Sequence, residues 1–155
     1  MKSAALFAVF LLAQMVASEE YKIPFTYQLG AGFIPHTLVT VIAHVPPNAK
    51  RFTIDYTDNA NTILFHFDSR FTSNTVVMNT MNKGKWQIEE VIKSNPFKKG
   101  ADFKLEFQCE EDYFKVVLNG KLLRQYKARV HPLYLVKNIQ FIHDIILKSV
   151  SIAAM

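Results

Sequence analysis

The sequence predicts an all-β domain, a sandwich or barrel built from about ten short strands. Segments of alternating hydrophobicity recur at intervals of about 8–12 residues, and clusters of turn residues separate them. After Glu20, no segment has a convincing helical period. With 155 residues, half of them hydrophobic and 13 of them phenylalanine, the chain can bury one core without help from disulfides.

The N-terminal residues have the composition of a secretory signal peptide. Lys2 supplies a short basic region, residues 4–13 form an apolar run, and small residues precede a cleavage point at about Ser18. The run is shorter than the ~20 residues that a membrane-spanning helix needs, so we expect no membrane insertion. We expect a signal peptide over residues 1–18, a mature domain over residues 19–155 and a secreted, extracellular protein. An apolar N-terminal helix kept in the mature protein is the alternative.

The first half of the mature chain contains five β-branched or alternating segments, each ended by turn residues. Pro46 and Pro47 end the first segment, because proline lacks the amide donor that a sheet needs. Asp and Asn residues at 57–61 turn the chain after the second, and Gly84 permits a tight turn before the fifth. The predicted strands are residues 37–45, 51–56, 63–71, 75–80 and 85–92.

The second half contains the clearest alternation. Residues 102–109 place four apolar side chains on one face and polar ones on the other. Cys109, the only cysteine, belongs to the apolar row, which predicts a buried small hydrophobe rather than a reactive thiol. Asn119-Gly120 is the strongest two-residue signal for a β-hairpin. The predicted strands are residues 102–109, 113–118, 121–127, 137–143 and 145–153.

Charge and histidine spacing argue against two classes of ligand. The net charge is +5 at pH 7, but no basic stripe alternates with stacking aromatic residues, so we expect no nucleic-acid partner. The histidines lack the short paired spacings of metal ligands, so neither a metal nor a cofactor is expected. They are His36, His44, His66, His131 and His143.

A row of polar side chains lies in the segment 63–71. Alternation directs two phenylalanines to the core and places His66, Asp68 and Arg70 together on the opposite face. These groups offer donors and an acceptor in a line, which suits the hydroxyls of a polar ligand. The strand taken alone equally allows a solvated face with an Asp–Arg pair of little energetic value.

The only tryptophan favours the ligand-binding interpretation. Trp86 follows a glycine-containing turn, where an exposed ring is expected, and Asn79 and Glu89 are close to it in the sequence. An exposed indole beside convergent polar groups binds sugars by packing against the C–H patch of a pyranose while the polar groups contact its hydroxyls.

The ordered set of these residues resembles the signature of the galectins, a family of galactoside-binding lectins. The motifs are His66-x-Asp68-x-Arg70, Val76-Val77-x-Asn79 and Trp86-x-x-Glu89. Segments 33–38, 51–55 and 141–145 also agree, so the resemblance extends over about residues 25–153. It implies a jelly-roll-like sandwich of two antiparallel sheets, with a shallow groove on one sheet that binds β-galactosides without catalysis.

The resemblance also implies a role for each residue. The carbohydrate-binding set would be His66, Asp68, Arg70, Asn79, Trp86 and Glu89. The first three would contact the axial 4-hydroxyl of galactose, Asn79 and Glu89 would hold the 6-hydroxyl, and Trp86 would stack under the ring. Arg70 and Glu89 would also reach the neighbouring sugar. Galectins often dimerise through their terminal strands, and residues 145–152 are apolar enough to allow a homodimer.

Three positions depart from the family pattern. Asp68 replaces the usual Asn, Val91 replaces a common Arg and Gln87 replaces a Gly. With histidine neutral, Arg70, Asp68 and Glu89 give the groove a charge of −1 where the family pattern gives +1. Weakened or altered affinity is therefore predicted, with acidic sugars disfavoured. The alternative is a galectin-like domain that has lost sugar binding and contacts another protein.

An enzyme is a further alternative, because glycosidases use two carboxylates and Asp68 and Glu89 could form such a pair. Arg70 beside them should keep both ionised, whereas a general acid needs a raised pKa. We therefore expect no catalysis. The predicted signal peptide is itself a departure, since galectins generally lack one.

Overall fold

Two antiparallel β-sheets pack face to face in this computed structural model, which describes residues 21–30 and 33–155. The predicted signal peptide lies outside the described residues. The first sheet has the order β1 (Phe25–Gln28), β11 (Asn138–His143), β3 (Arg51–Thr57), β4 (Ile63–Arg70) and β5 (Thr75–Asn82), with β6 (Lys85–Trp86) and β7 (Glu90–Ile92) both paired to β5. The second has the order β10 (Lys121–Lys127), β9 (Tyr113–Leu118), β8 (Asp102–Cys109), β2 (Thr37–His44) and β12 (Ile146–Ala154).

The all-β prediction is confirmed, and three strands match the predicted bounds at both ends. These are β8, β9 and β10. Asn119 and Gly120 join the last two with φ angles of 49° and 82°, the pair of positive values that a type I′ hairpin requires. The sequence did not predict β1 or the short 3-10 helix Leu133–Leu135. None of the helices in the described residues is long and apolar enough to cross a membrane.

Aromatic side chains from both sheets fill the core. Phe65 and Phe67 of β4 point toward the second sheet, and their ring centroids lie 6.1 Å and 5.6 Å from that of Phe107 on β8. Cys109 is fully buried at the end of the same strand, as predicted. Because alternate residues point to opposite faces, packing these phenylalanines inward fixes which residues of β4 face outward.

The outward face of β4 is buried as well, although a solvated face was one of the two expectations for it. His66 is 7% exposed and Asp68 is 0% exposed. The register pairs these residues with Asp55 and Thr53 on β3, so polar side chains of neighbouring strands stand side by side. Their mutual hydrogen bonds satisfy groups that would otherwise be costly to bury.

Replacing Phe65 with alanine should destabilise the fold by about 3–5 kcal/mol, because the side chain is fully buried among aromatic rings. Urea denaturation followed by tryptophan fluorescence measures the change. Leu122→Ala is the control, since Leu122 is 54% exposed and should shift the unfolding free energy by no more than about 0.5 kcal/mol. A loss below about 1 kcal/mol for Phe65→Ala would contradict this packing.

Candidate functional site

A groove of about 300 Å³ lies on the outer face of the first sheet. Its lining is formed by Arg51, His66, Arg70, Val77, Asn79, Trp86, Gln87 and Glu89. Five of the six residues predicted for the site therefore come together. The sixth, Asp68, is fully buried beneath them and does not line the groove.

The indole of Trp86 forms one wall of the groove and is 49% exposed. The turn before it has positive φ angles at Lys83 (49°) and Gly84 (81°), the geometry of a tight hairpin that leads β5 into β6. The Trp86 ring centroid lies 4.8 Å from that of His66. The ring is thus positioned beside the polar row, with about half of its surface exposed to a ligand.

The chain bends after Trp86, which brings Glu89 into the same groove. Sequence analysis predicted one strand over residues 85–92, but the segment divides into β6 and β7 with three residues between them. The amide of Gln87 donates to the carbonyl of Thr80 at 3.0 Å, which holds the bend against β5. Regular alternation would separate Trp86 from Glu89, so this break is what allows both to line the groove.

Asp68 binds two arginines at once. Its Oδ1 accepts from Thr53 Oγ1 at 2.8 Å and from Arg51 Nε at 3.2 Å. Its Oδ2 accepts from Arg51 Nη2 at 3.1 Å and from Arg70 Nε at 2.7 Å. The role implied by the resemblance, a direct contact of Asp68 with a sugar hydroxyl, does not fit a carboxylate that is 0% exposed and already saturated. Asp68 instead fixes the positions of the two guanidinium groups.

His66 is held between two carboxylates. Its Nδ1 lies 2.6 Å from Asp55 Oδ1, and its Nε2 lies 3.7 Å from Asp68 Oδ2. Burial lowers the pKa of the imidazole, but these two carboxylates outweigh burial and raise the pKa from 6.5 to about 9. His66 is therefore protonated at neutral pH and acts only as a hydrogen-bond donor.

The same contacts also shift the pKa of Asp68. Burial raises the pKa of Asp68, but hydrogen bonding to His66, Arg70 and Thr53 outweighs it and holds that pKa well below its usual range. Asp68 is therefore ionised at every pH at which the protein is expected to work.

Sequence reasoning missed Arg51 and Asp55. Both lie on β3, on the face opposite its core-facing residues Phe52, Ile54 and Tyr56, and only the register of β3 with β4 brings them to the site. Adding the charges of Arg51, Asp55 and protonated His66 to the −1 counted from the sequence gives a formal charge of zero. The prediction that acidic sugars are disfavoured therefore loses its basis.

Arg129 holds the bent loop in place and was also missed. Its Nη1 donates to the carbonyl of Ile88 at 2.7 Å and to Asn79 Oδ1 at 3.2 Å, and its Nη2 donates to Glu90 Oε2 at 3.2 Å. Asn79 Nδ2 in turn donates to the carbonyl of Gln87 at 2.9 Å. Asn79 therefore braces the loop as well as lining the groove.

The groove offers an indole face, fixed donors and one carboxylate that accepts nothing from the described side chains, that of Glu89. This combination suits a neutral polyhydroxylated ligand. Among the described residues, no group of three His, Cys, Asp or Glu side chains is placed to hold a metal ion.

Comparison with known proteins identifies the family to which the chain belongs. The model of the galactoside-binding lectin family matches residues 24–152. Galectin-3 of Mus musculus is 35% identical over 130 residues, which cover 82% of this chain and 49% of that protein. Galectin-4 of Homo sapiens is 40% identical over 106 residues, 66% of this chain and 32% of that protein. The chain thus spans about half, or less, of the length of these relatives.

Two solved structures have the same fold. Galectin LEC-6 of Caenorhabditis elegans superposes with a TM-score of 0.80 at 23% identity, covering 86% of this chain and 93% of that one. Sheep galectin-11, solved in complex with glycerol, superposes with a TM-score of 0.78 at 26% identity, covering 86% and 99%. The two-sheet sandwich predicted from the sequence is therefore confirmed.

His66 should titrate with a midpoint near pH 9 in a histidine-selective NMR experiment. Since the pKa is raised above the unfolded value of about 6.5, the stabilisation from this group is complete below pH 6.5 and is lost as the pH rises toward 9. Asp68→Asn should lower the midpoint, because it removes one of the two carboxylates. A midpoint below pH 7 in the unmodified protein would contradict the double pairing.

Proposed function

Because this chain belongs to the galactoside-binding lectin family, the galectins, we propose that its groove binds β-galactoside-containing glycans without catalysis. The observation that carries the proposal is the exposed indole of Trp86 beside the fixed polar row of β4. Proteins bind pyranoses in this way, with an aromatic ring against the C–H patch and donors at the hydroxyls.

The donors have separate tasks in this proposal. Protonated His66 and the free Nη atoms of Arg70 contact the axial 4-hydroxyl of galactose, a hydroxyl that glucose presents in another direction. Asn79 and Glu89 contact the 6-hydroxyl. Asp68 acts indirectly, since it holds Arg51 and Arg70 and has no exposed oxygen for the sugar.

Weak single-site binding follows from the shallow shape of the groove. Each hydrogen bond exchanged with water contributes about 0.5–1.5 kcal/mol, so a few of them support only modest affinity. Strong attachment to cell-surface glycans then requires several sites at once. We infer that a homodimer formed at the edge strand β12 supplies them, since its other edge pairs with β2 and it carries apolar residues along its length. The predicted signal peptide would deliver this lectin to the extracellular space.

Hydrolysis of the bound sugar is not proposed. A glycosidase needs one carboxylic acid that stays protonated near neutral pH. Asp68 has a pKa held far below that range and is enclosed by two guanidinium groups. Incubation with galactosides should therefore yield no products.

A second candidate function is a galectin-like module that has lost sugar binding and contacts a protein. The observation that favours it is the 2.7 Å bond from Arg70 Nε to Asp68, which removes one donor of Arg70 from the groove. Retention on a lactose matrix with elution by free lactose supports the lectin, and passage through the column supports the module.

Trp86→Ala should reduce lactose affinity at least about tenfold in isothermal titration calorimetry, because the stacking surface is removed. Ile88→Ala is the matched control: Ile88 is in the same loop and 84% exposed, yet it does not line the groove. Equal losses for both variants, or no loss for Trp86→Ala, would refute sugar stacking at this ring.

Asp68→Asn and Val91→Arg should each raise lactose affinity by about two- to tenfold, the value of one added hydrogen bond. The first change keeps one acceptor oxygen that can still hold the polar row, and it weakens the charge-assisted bond that occupies Arg70. The second places a guanidinium opposite Val77, a groove residue that pairs with Val91. Calorimetry of the single variants and the double variant tests this, and no gain in any of them would contradict it.

A further inference from the structure

A second depression lies at one end of the sandwich and shares no lining residue with the sugar groove. Its volume is about 360 Å³, within the range of about 300–1,000 Å³ that ligand sites occupy. Phe33 and Leu133, each 2% exposed, contribute its apolar lining from the core, whereas Ile34 and Tyr134 line it with 64% and 57% of their surfaces exposed. We call this depression the end trough.

The walls of the end trough are held by the backbone. The amide of Phe33 donates to the carbonyl of Val136 at 3.1 Å, and Thr37 Oγ1 donates to the carbonyl of Ile34 at 2.6 Å. The amide of Leu135 donates to the carbonyl of Pro132 at 3.2 Å. These bonds order the backbone that carries two large exposed apolar side chains, Ile34 and Tyr134. Exposed apolar surface of this kind marks interaction sites, and an ordered backbone reduces the entropy lost on binding.

An acidic pair borders the end trough. Glu111 and Asp112 line it and neither accepts a side-chain hydrogen bond or ion pair within the described residues. Apart from Glu89 in the sugar groove, the other described carboxylates all have a partner: Asp58 and Asp144 accept from backbone amides, and the rest pair with side chains, as Glu110 does with His36. Two unpaired carboxylates beside an apolar surface, in a chain of net charge +5, form a site that attracts a cation.

We propose that the end trough binds an extended segment of another protein in which lysine or arginine adjoins large apolar residues. The apolar side chains of the partner segment pack on Ile34 and Tyr134. The aliphatic part of its lysine or arginine packs on the same surface, and the charged group reaches Glu111 and Asp112. An anionic membrane would be repelled by the same carboxylates. The chain would then hold a protein partner and a glycan at separate sites.

Fluorescence anisotropy tests the proposal with a labelled peptide of sequence Ser-Leu-Lys-Leu-Arg-Leu-Ser. A matched peptide with glutamate in place of both basic residues is the ligand control. Ile34→Ser and Tyr134→Ser should each weaken binding of the basic peptide at least about tenfold. The double variant Glu111→Gln/Asp112→Asn should weaken it about threefold or more at low salt, and less at high salt.

Leu122→Ser is the matched protein control, because it removes another large side chain that is 54% exposed but lies on β10. Circular dichroism and melting temperature check that each variant is folded. The proposal is overturned if the basic peptide does not bind, if the acidic peptide binds equally well, if the trough variants bind like Leu122→Ser, or if lactose displaces the peptide. A lactose titration of the same proteins tests the sugar site separately, so the two functions can fail independently.

Discussion

The carboxylate of Asp68 is the constraint on which the sugar groove depends. It is fully buried, yet it accepts bonds from Thr53, Arg51 and Arg70 and lies next to His66. A buried charge is tolerated only when such partners surround it, and removing them would leave it uncompensated. The arrangement therefore fixes two guanidinium groups and one imidazolium at the groove. It also takes from each arginine part of the hydrogen-bonding capacity that a ligand could use.

The sandwich makes this cluster possible because the two faces of β4 lie in different environments, one in the aromatic core and one at the groove. On β4, alternate residues enter the aromatic core, and the residues between them form the polar row. Phe65 and Phe67 lock the strand against the second sheet, so His66 and Asp68 cannot rotate away from β3. Core packing and site geometry are consequently set by the same eight-residue strand, Ile63–Arg70.

The sequence predicted what depends on local periodicity, and it missed what depends on register. Alternation located β8, β9 and β10 with their bounds and placed the polar residues of β4 on one face. It could not reveal that Arg51 faces Arg70, or that Arg129 reaches Ile88, because those contacts join distant segments. It also gave no sign that Asp68 is enclosed, since the alternation of one strand does not report what covers its outer face. Periodicity also predicted one strand over residues 85–92, because alternation cannot show the bend after Trp86 that divides it into β6 and β7.

The linker between β10 and β11 contributes to both the sugar groove and the end trough. Arg129 holds the loop that carries Trp86 and Glu89, and its guanidinium lies 5.0 Å from the ring centroid of Tyr126. A few residues later, the same linker forms one wall of the end trough with Tyr134. Just before Arg129, the amide of Ala128 donates to the carbonyl of Asp112 at 2.8 Å, which attaches the linker to the acidic border of that trough. A glycan and a protein segment bound at these sites would therefore be held at a fixed separation by one short stretch of backbone, so that the domain could present the two ligands to each other as a rigid connector.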